Sequence, residues 1–420
     1  MDRRSFLIKS GALVAATSSS LAFPAIIKAY NRKPTIRVLG THVTLQETIR
    51  QRAEHDLGIH IEFYPGGDAE VLFKASTNPG SFDIYEQWSD SIKILKMADA
   101  IQPLEIKKLK YWQEINNLSK LGRLTEHAPI GQGDAPHKLL YIQADGSLGP
   151  QATQWVSFLP YVHNTDSFGY NSGVIPKGIP YETESWSWLL DDRYAGKVAI
   201  VNAPTIGIFD LALAVQAQGL MAFKDISSMT RDEIDALFEI VVAKKRRGHF
   251  RGVWTSVPHS VELMASGEVI IGSMFSPAVR QLISQGIPCI YAAPREGYRA
   301  WHGVMCLSRE CHDERKDAAY AFMNWWLSGW PGAFIARQGY YISNPERSRQ
   351  FMSDSEWDYW YAGEPAQEAL KEINGAAVVH PGEVRTGGSY AKRFENVAIW
   401  NTVMDNHEYS LLKWNEFLLS

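Results

Sequence analysis

The chain has 420 residues, of which 45% are hydrophobic and 21% are charged, and its net charge is −4. This composition is typical of a soluble globular protein, and the length exceeds that of one ordinary core, so we expect two lobes or domains. The negative charge and the lack of a long basic run argue against a nucleic-acid partner.

The N-terminal segment, residues 1–30, has the pattern of an export signal. It begins with basic residues and continues as a weakly apolar run rich in Ala and Ser, too weakly hydrophobic for a membrane span. The pair Arg3-Arg4 is similar to a twin-arginine signal, although Asp2 stands where Ser or Thr is usual. We therefore expect twin-arginine export to the periplasm, with an ordinary secretory signal as the alternative.

The rest of the chain alternates between short apolar runs and runs with helical spacing. Expected strands cover 35–40, 59–65, 82–87, 156–165, 197–204, 268–275 and 287–294. Expected helices cover 44–57, 68–75, 89–97, 208–218 and 315–327. Two successive units of this kind predict an α/β protein whose two lobes each hold a mainly parallel sheet flanked by helices.

Ligands of open α/β sheets bind beyond the carboxyl ends of the strands, near the starts of helices. Small, polar and aromatic residues follow the expected strands in the segments 40–44, 87–90, 202–207, 273–277 and 300–303. Their candidate ligand-binding residues are Thr41, His42, Trp88, Ser89, Asp90 and Thr205. We expect these residues to line a cleft between the lobes.

No pattern for catalysis, a metal or a cofactor is present. The sequence has no G-x-S-x-G, no G-x-G-x-x-G, no phosphate-binding loop and no paired histidines at zinc-binding spacing. The run from Cys311 to Glu314 has no second cluster to complete a metal site and is expected to begin a helix. The cysteines Cys289, Cys306 and Cys311 allow at most one disulfide, and a Cys306–Cys311 bridge stays open at this point.

Five segments together resemble the extracellular solute-binding proteins of ABC importers, closest to the spermidine/putrescine-binding branch. They are residues 163–178, 186–204, 262–286, 294–304 and 337–344. The resemblance implies a two-lobed type II periplasmic-binding-protein fold hinged by crossing strands near 157–161, 269–273 and 338–341. It places residues 31–157 and 273–338 in lobe 1, and residues 158–272 and 339–420 in lobe 2.

The function implied by this resemblance is that of a hinge-bending receptor, not an enzyme. Such a protein closes on a small solute and delivers it to an ABC permease in the inner membrane, here as a monomer without cofactor or metal. The rival classes are an exported enzyme and a sensor partner on the same fold.

The resemblance also extends to individual site positions. Phe275, Trp301 and Tyr340 fall on positions that are aromatic in polyamine receptors, whereas Gly303 and Gly207 fall on positions that carry acids there. A buried ammonium without a carboxylate or hydrogen-bond partner costs several kcal/mol, so a standard diamine is disfavoured. Substitute carboxylates are available at Asp90, Glu86 or Glu262.

Four ligand types stay open. A quaternary or zwitterionic amine would use cation–π contacts with Trp88, Trp254 or Trp301. A sugar or polyol would stack on the same rings, and an organic anion would use His42, Arg299 or the backbone amides of 205–207. Spermidine or putrescine itself is the fourth type. Arg299 is expected at the surface rather than in the site.

Overall fold

Strands and helices alternate along the chain from Thr35 onward. The computed structural model describes residues 33–371 and 375–420, so the predicted signal segment and its twin-arginine motif lie outside the described residues.

The strands are β1 (Thr35–Gly40), β2 (His60–Pro65), β3 (Ile84–Trp88), β4 (Ile101–Gln102), β5 (Leu104–Glu105), β6 (Gln132–Gly133), β7 (Tyr141–Ile142), β8 (Leu148–Gly149), β9 (Trp155–Val156), β10 (Leu159–Asn171), β11 (Val198–Val201), β12 (Phe250–Trp254), β13 (Ile271–Met274), β14 (Cys289–Tyr291), β15 (Tyr298–Ser308), β16 (Tyr341–Ile342), β17 (Leu370–Lys371), β18 (Ala377–Val379) and β19 (Val397–Trp400).

The α-helices are α1 (Glu47–Leu57), α2 (Asp68–Thr77), α3 (Ile92–Met97), α4 (Asn117–Leu121), α5 (Pro136–Leu139), α6 (Pro204–Ala217), α7 (Arg231–Arg246), α8 (Val257–Ala265), α9 (Ser276–Ser284), α10 (Asp313–Trp326), α11 (Trp330–Ala336), α12 (Pro345–Arg349), α13 (Asp354–Trp357), α14 (Tyr390–Phe394) and α15 (His407–Leu419).

Local sequence explains several of these boundaries. Helix α1 ends at Gly58, whose φ of 68° is the left-handed conformation that a helix stop favours. Helix α7 begins with a capping box in which Thr230 and Glu233 satisfy each other's backbone N–H groups.

The alternation of strands and helices confirms the predicted α/β class.

One continuous sheet runs through the described part of the chain in the order β12-β11-β13-β10-β15-β3-β1-β2. Strand β1 pairs in parallel with β2 and β3, and β11 pairs in parallel with β12 and β13. The long strands β10 and β15 pair antiparallel in the middle of the sheet and join the two parallel halves. These are the strands that cross between the two halves.

Two large hydrophobic cores lie on the two sides of the β10–β15 pair. The first core contains residues from Ile36 to Tyr340, and the second contains residues from Phe168 to Phe417. Strand β10 contributes to both cores, Leu159 to the first and Phe168 to the second. A smaller cluster packs residues 274–291 against 199–269. The predicted lobe boundaries stay a prediction.

Two element predictions were wrong at the crossing strands. The expected strand 156–165 does not end at Thr165 but continues as β10 to Asn171. Residues 300–303 do not form a loop after a strand; they lie within β15, which is buried along its whole length. In both places the backbone continues its pairing with the neighbouring strand.

The three cysteines are free and buried, so the structure contains no Cys306–Cys311 bridge. Within residues 33–371 and 375–420, no helix combines the length and the apolar character needed to cross a bilayer.

Candidate functional site

The β10–β15 pair presents one polar face toward the ends of strands β3 and β11. Paired residues of antiparallel strands point to the same side, and the register pairs Asn164 with Trp301 and Asp166 with Arg299. We call the region between this face, the end of β3 and the start of α6 the cleft.

Three aromatic side chains form a contiguous cluster in the cleft. The rings of Trp88 and Trp301 lie 4.4 Å apart, centroid to centroid, and those of Trp301 and Tyr340 lie 5.8 Å apart, both edge to face. Trp301 and Tyr340 are buried, whereas Trp88 is half-buried. Edge-to-face contacts of this kind hold the rings in fixed orientations and leave the remaining ring faces for a ligand.

Asn164 is the unusual residue of this face. Its side chain is buried, with 1% of its surface exposed, and neither Oδ1 nor Nδ2 has a hydrogen-bond partner among the described residues. Leaving a buried donor or acceptor unsatisfied costs about 1–3 kcal/mol per group, and such groups are rare. The Asn164 amide therefore retains its hydrogen-bonding capacity beside Trp301.

Next to Asn164 on the same face, Asp166 belongs to a buried ion network. Its carboxylate accepts hydrogen bonds from the Tyr291 hydroxyl at 3.1 Å and from the Trp301 side chain. Arg299 Nη1 lies 3.5 Å from Asp166, and Arg299 Nε donates to Asp210 at 2.8 Å. Burial raises the pKa of Asp166 to about 6, despite the opposing effect of Arg299.

The expectation that Arg299 lies at the surface was wrong, because 1% of it is exposed. No local pattern indicates this burial, since Asp166 and Asp210 are distant from Arg299 along the chain. Two carboxylates already compensate its guanidinium, so Arg299 has no uncompensated charge to offer an anionic ligand.

A group of carboxylates lies at the Trp88 side of the cleft. Asp90 is buried, and its burial together with the charges of Asp68 and Asp134 raises its pKa to about 7. The Trp88 side chain donates a hydrogen bond to Asp68. Asp68 is solvent-exposed as a residue, yet protein surrounds its carboxyl group, and this desolvation raises its pKa. Lys93 lies 2.8 Å from Asp134 and neutralises it, which leaves Asp68 and Asp90 without a cation.

Asp90 also joins the two sides of the cleft. Its carboxylate forms a hydrogen bond with Thr205, at the start of α6. Asp90 follows β3, and Thr205 follows β11, so this bond links strand ends on opposite sides of the β10–β15 pair. The structure is therefore closed at this point of the cleft.

The other predicted site residues have different surroundings. Thr41 donates its backbone N–H and its hydroxyl to Glu86, at 2.9 and 3.3 Å. Glu86 is buried and also accepts a hydrogen bond from Tyr161, so it is occupied internally. His42 is exposed, and Ser89 is buried at the start of the turn that follows β3.

Trp254 and Phe275 form a separate pair at the ends of β12 and β13. Their ring centroids are 5.1 Å apart, and Trp254 Nε1 donates to the Ser273 carbonyl at 2.9 Å. Trp254 is buried in the same small cluster as Ala199, while Phe275 is half-buried against it. Their assignment to the ligand site stays a prediction.

Neither of the two predicted glycines faces open space. A Cβ at Gly303 would come within 2.5 Å of Val162 Cγ1 and 3.2 Å of the Tyr161 ring. A Cβ at Gly207 would come within 2.5 Å of the Trp414 ring. Neighbouring side chains therefore fill both positions where the resemblance places acids.

The structure thus brings together five predicted site residues: Trp88, Asp90, Thr205, Trp301 and Tyr340.

Four further residues of the cleft were not predicted from the sequence: Asn164, Asp166, Asp68 and Asp134. Asn164 and Asp166 stand at alternate positions of the run HNTDSF, and this period of two was the available signal that they share one face of a strand. Asp68 begins helix α2 and is separated from the end of β2 by Gly66 and Gly67; this strand end was not considered. No group of three or more His, Cys, Asp or Glu that could hold a metal ion occurs in the part of the chain that is described.

Comparison with solved structures places this fold among substrate-binding proteins. The spermidine/putrescine ABC transporter substrate-binding protein PotD of Streptococcus pneumoniae is 14% identical, with a TM-score of 0.60 over 92% of this chain and 98% of that one. The TpPotD lipoprotein of Treponema pallidum is 12% identical, with a TM-score of 0.65 over 92% of this chain and 100% of that one. The binding protein AgtB of A. tumefaciens, in complex with agropinic acid, is 11% identical, with a TM-score of 0.54 over 92% and 99%.

These likenesses confirm the two-lobed binding-protein fold, and the similar proteins are associated with chemically different ligands, spermidine/putrescine in one and agropinic acid in another. No curated protein matches the sequence. The sequence of residues 51–356, however, matches the family described as bacterial extracellular solute-binding protein. The resemblance seen in the sequence is confirmed, and the chain belongs to the bacterial extracellular solute-binding protein family.

Proposed function

We propose that this protein is the non-catalytic receptor of an ABC importer and that it closes on a small amine in the cleft. The family and the fold support a receptor. The ligand class is supported above all by the buried Asn164 amide, which has no partner and lies on the cleft face beside Trp301.

The charge of the ligand follows from the carboxylates near Trp88. The charge of Asp68 contributes to the raised pKa of Asp90, and no lysine or arginine pairs with either of them in the described segments. A ligand cation next to Trp88 would compensate these carboxylates and gain a cation–π contact with the indole. The remaining faces of Trp301 and Tyr340 would cover its apolar part.

The ligand also needs a second polar group. The Asn164 amide offers one acceptor and two donor hydrogens, so it is satisfied by a ligand that carries both a donor and an acceptor. An amine that also bears a carboxylate, an amide or a hydroxyl meets this requirement. A zwitterionic or hydroxylated amine with one cationic group therefore fits better than spermidine or putrescine, since the free acids lie at one end of the cleft only.

A polyol is the second candidate, because Asn164 and the aromatic faces would also suit a sugar alcohol. The two uncompensated carboxylates favour the amine, since a neutral ligand would leave the buried Asp90 without a cation. An organic anion is disfavoured by the same acids and by the neutralised Arg299.

We further propose that the receptor is exported by the twin-arginine route, acts as a periplasmic monomer and delivers its ligand to an inner-membrane permease. The Arg3-Arg4 pair supports the export route, and the family supports delivery to a permease.

Thermal-shift screening tests the ligand class. A ligand that binds only the folded protein raises its melting temperature in proportion to the logarithm of its concentration above Kd. We expect 4-aminobutyrate, glycine betaine or an amino alcohol to raise it, and mannitol and succinate to leave it unchanged. Stabilisation by succinate alone would refute the amine proposal, and stabilisation by mannitol alone would favour the polyol.

A further inference from the structure

A second cavity lies away from the cleft, beside the small sheet formed by β5, β9, β7 and β8. Its volume is 640 Å³, within the range of small-molecule sites. Trp112 and Tyr141 line it, with 5% and 7% of their surfaces exposed, and their rings pack edge to face with centroids 6.4 Å apart. The cavity shares no residue with the cleft described above.

The charged residues that line this cavity are all lysines. Lys107, Lys110 and Lys120 line it, and no aspartate or glutamate does. Lys107 is paired with Glu105 at 2.6 Å. Lys110 and Lys120 have no ion pair within the described ranges, and their contacts are with aromatic rings, Lys110 over Tyr111 at 5.0 Å and Lys120 over Trp112 at 5.3 Å.

Lys120 is only partly exposed, and burial lowers its pKa with no carboxylate to oppose the effect. A partly desolvated ammonium gains most from an anion that enters the same space. Gln113 and Gln154 also line the cavity.

We propose that this lysine cavity is a second binding site, for a small organic anion whose carboxylate or phosphate meets Lys110 and Lys120 and whose flat apolar part packs against Trp112 and Tyr141. The lysines select a negatively charged ligand, and the two buried rings select a ligand with a flat apolar part. This site is independent of the amine proposed for the cleft.

Titration of the full-length protein with phenyl phosphate, benzoate, inorganic phosphate, benzylamine and benzyl alcohol tests this proposal, with tryptophan fluorescence and calorimetry as readouts. We expect phenyl phosphate or benzoate to bind one to one, at least ten times more tightly than inorganic phosphate, and more weakly as salt is added. Equal binding of benzylamine or benzyl alcohol would refute the charge assignment. Binding of inorganic phosphate as tight as that of phenyl phosphate would refute the role of the aromatic rings.

Variants distinguish binding at the lysines of this cavity from binding at lysines elsewhere on the surface. Lys120→Gln and Lys110→Gln should each weaken binding of the aromatic anion about tenfold, whereas Lys96→Gln, on helix α3, should not change it. Lys120→Met keeps the length of the side chain and serves if the glutamine variant does not fold. Unchanged binding of the aromatic anion in every Lys110 and Lys120 variant would contradict the proposal. Binding of a hexaglutamate peptide, with no binding of phenyl phosphate or benzoate, would also contradict it.

Discussion

Asn164 and Trp301 are directly paired across strands β10 and β15, and their side chains share the face of the sheet that meets the cleft. The Trp301 ring makes edge-to-face contacts with Trp88 and with Tyr340, whereas the Asn164 amide has no partner in the described structure. A rigid aromatic residue thus lies next to an unsatisfied polar one, and the proposed ligand site rests on this pair.

The first prediction concerns Asn164. Asn164→Leu removes the unsatisfied amide and keeps the number and branching of the side-chain heavy atoms, so the ligand-free protein should be as stable as the wild type or more stable. Affinity for the cleft amine should fall tenfold or more, equivalent to about 1.4 kcal/mol. Calorimetric titration and urea unfolding measure the two effects. Asn171→Ala, at the far end of the same strand, is the control and should bind normally. Unchanged amine affinity in Asn164→Leu would show that the amide does not face the ligand.

Asp90 should make amine binding depend on pH. Its pKa in the ligand-free protein is raised to about 7, and a bound cation favours the ionised carboxylate. Affinity should therefore rise between pH 6 and pH 8, by up to about tenfold per pH unit below the pKa. Titrations at several pH values measure this slope, which should become shallower in Asp90→Asn. A slope that is the same in both proteins would assign the titration to another group.

The same carboxylate should lower the stability of the empty protein at neutral pH. A pKa raised above its unfolded value means that the folded state holds a proton that the unfolded state releases, so stability from this group is present at low pH and is lost as pH rises from about 4 to about 7. Asp90→Asn should therefore raise the melting temperature at pH 8, by an amount equivalent to at most about 4 kcal/mol, and by less at pH 4. A lower melting temperature for the variant at pH 8 would contradict this account.

Arg299 should be essential for stability rather than for binding an anion. Arg299→Met leaves the buried Asp166 and Asp210 without their cation and should cost about 3–5 kcal/mol of unfolding free energy. The matched control is Arg251→Met, which removes an exposed ion pair with Glu268 and should cost less than about 1 kcal/mol. Guanidinium unfolding measures both. A similar small loss in the two variants would mean that the buried network is not what stabilises the crossing strands.

Much of the fold could be predicted from the sequence, because apolar periodicity is local. The run TIRVLG is a strand with the predicted bounds Thr35–Gly40, and Gly58 ends helix α1 as expected. The crossing strands were harder, since the polar residues of HNTDSF are buried only because β15 and α6 bring Arg299 and Asp210 to them. No local pattern reports that distant pairing.

The site was predictable only in part for the same reason. Trp88 and Asp90 lie at and just after the end of β3 and were found by that rule, whereas Asp134 follows β6, a two-residue strand that no apolar run in the sequence marks. Gly303 is a second position that the sequence explained only in part. Its alignment with an acid in polyamine receptors indicated a changed ligand, but only the structure shows that Val162 and Tyr161 leave no space for a side chain there.

Gly303 offers a test of that packing. Gly303→Asp should place its Cβ against Val162 and destabilise the protein by about 1–3 kcal/mol instead of creating a diamine site. Gly252→Asp is the matched control, because a Cβ at this strand glycine meets nothing within 4 Å. Urea unfolding and putrescine titration measure the outcome. A stable Gly303→Asp variant with increased putrescine affinity would show that the position faces the ligand after all.

The amine assignment is the central claim, and calorimetric titration of the purified protein at pH 8 tests it most directly. The ligands are 4-aminobutyrate, glycine betaine, putrescine, mannitol and succinate, each with wild type and Asn164→Leu. We predict one-to-one binding of an amine that carries one cationic and one further polar group, weakened at least tenfold in Asn164→Leu. Binding of mannitol or succinate with no binding of any amine would contradict it.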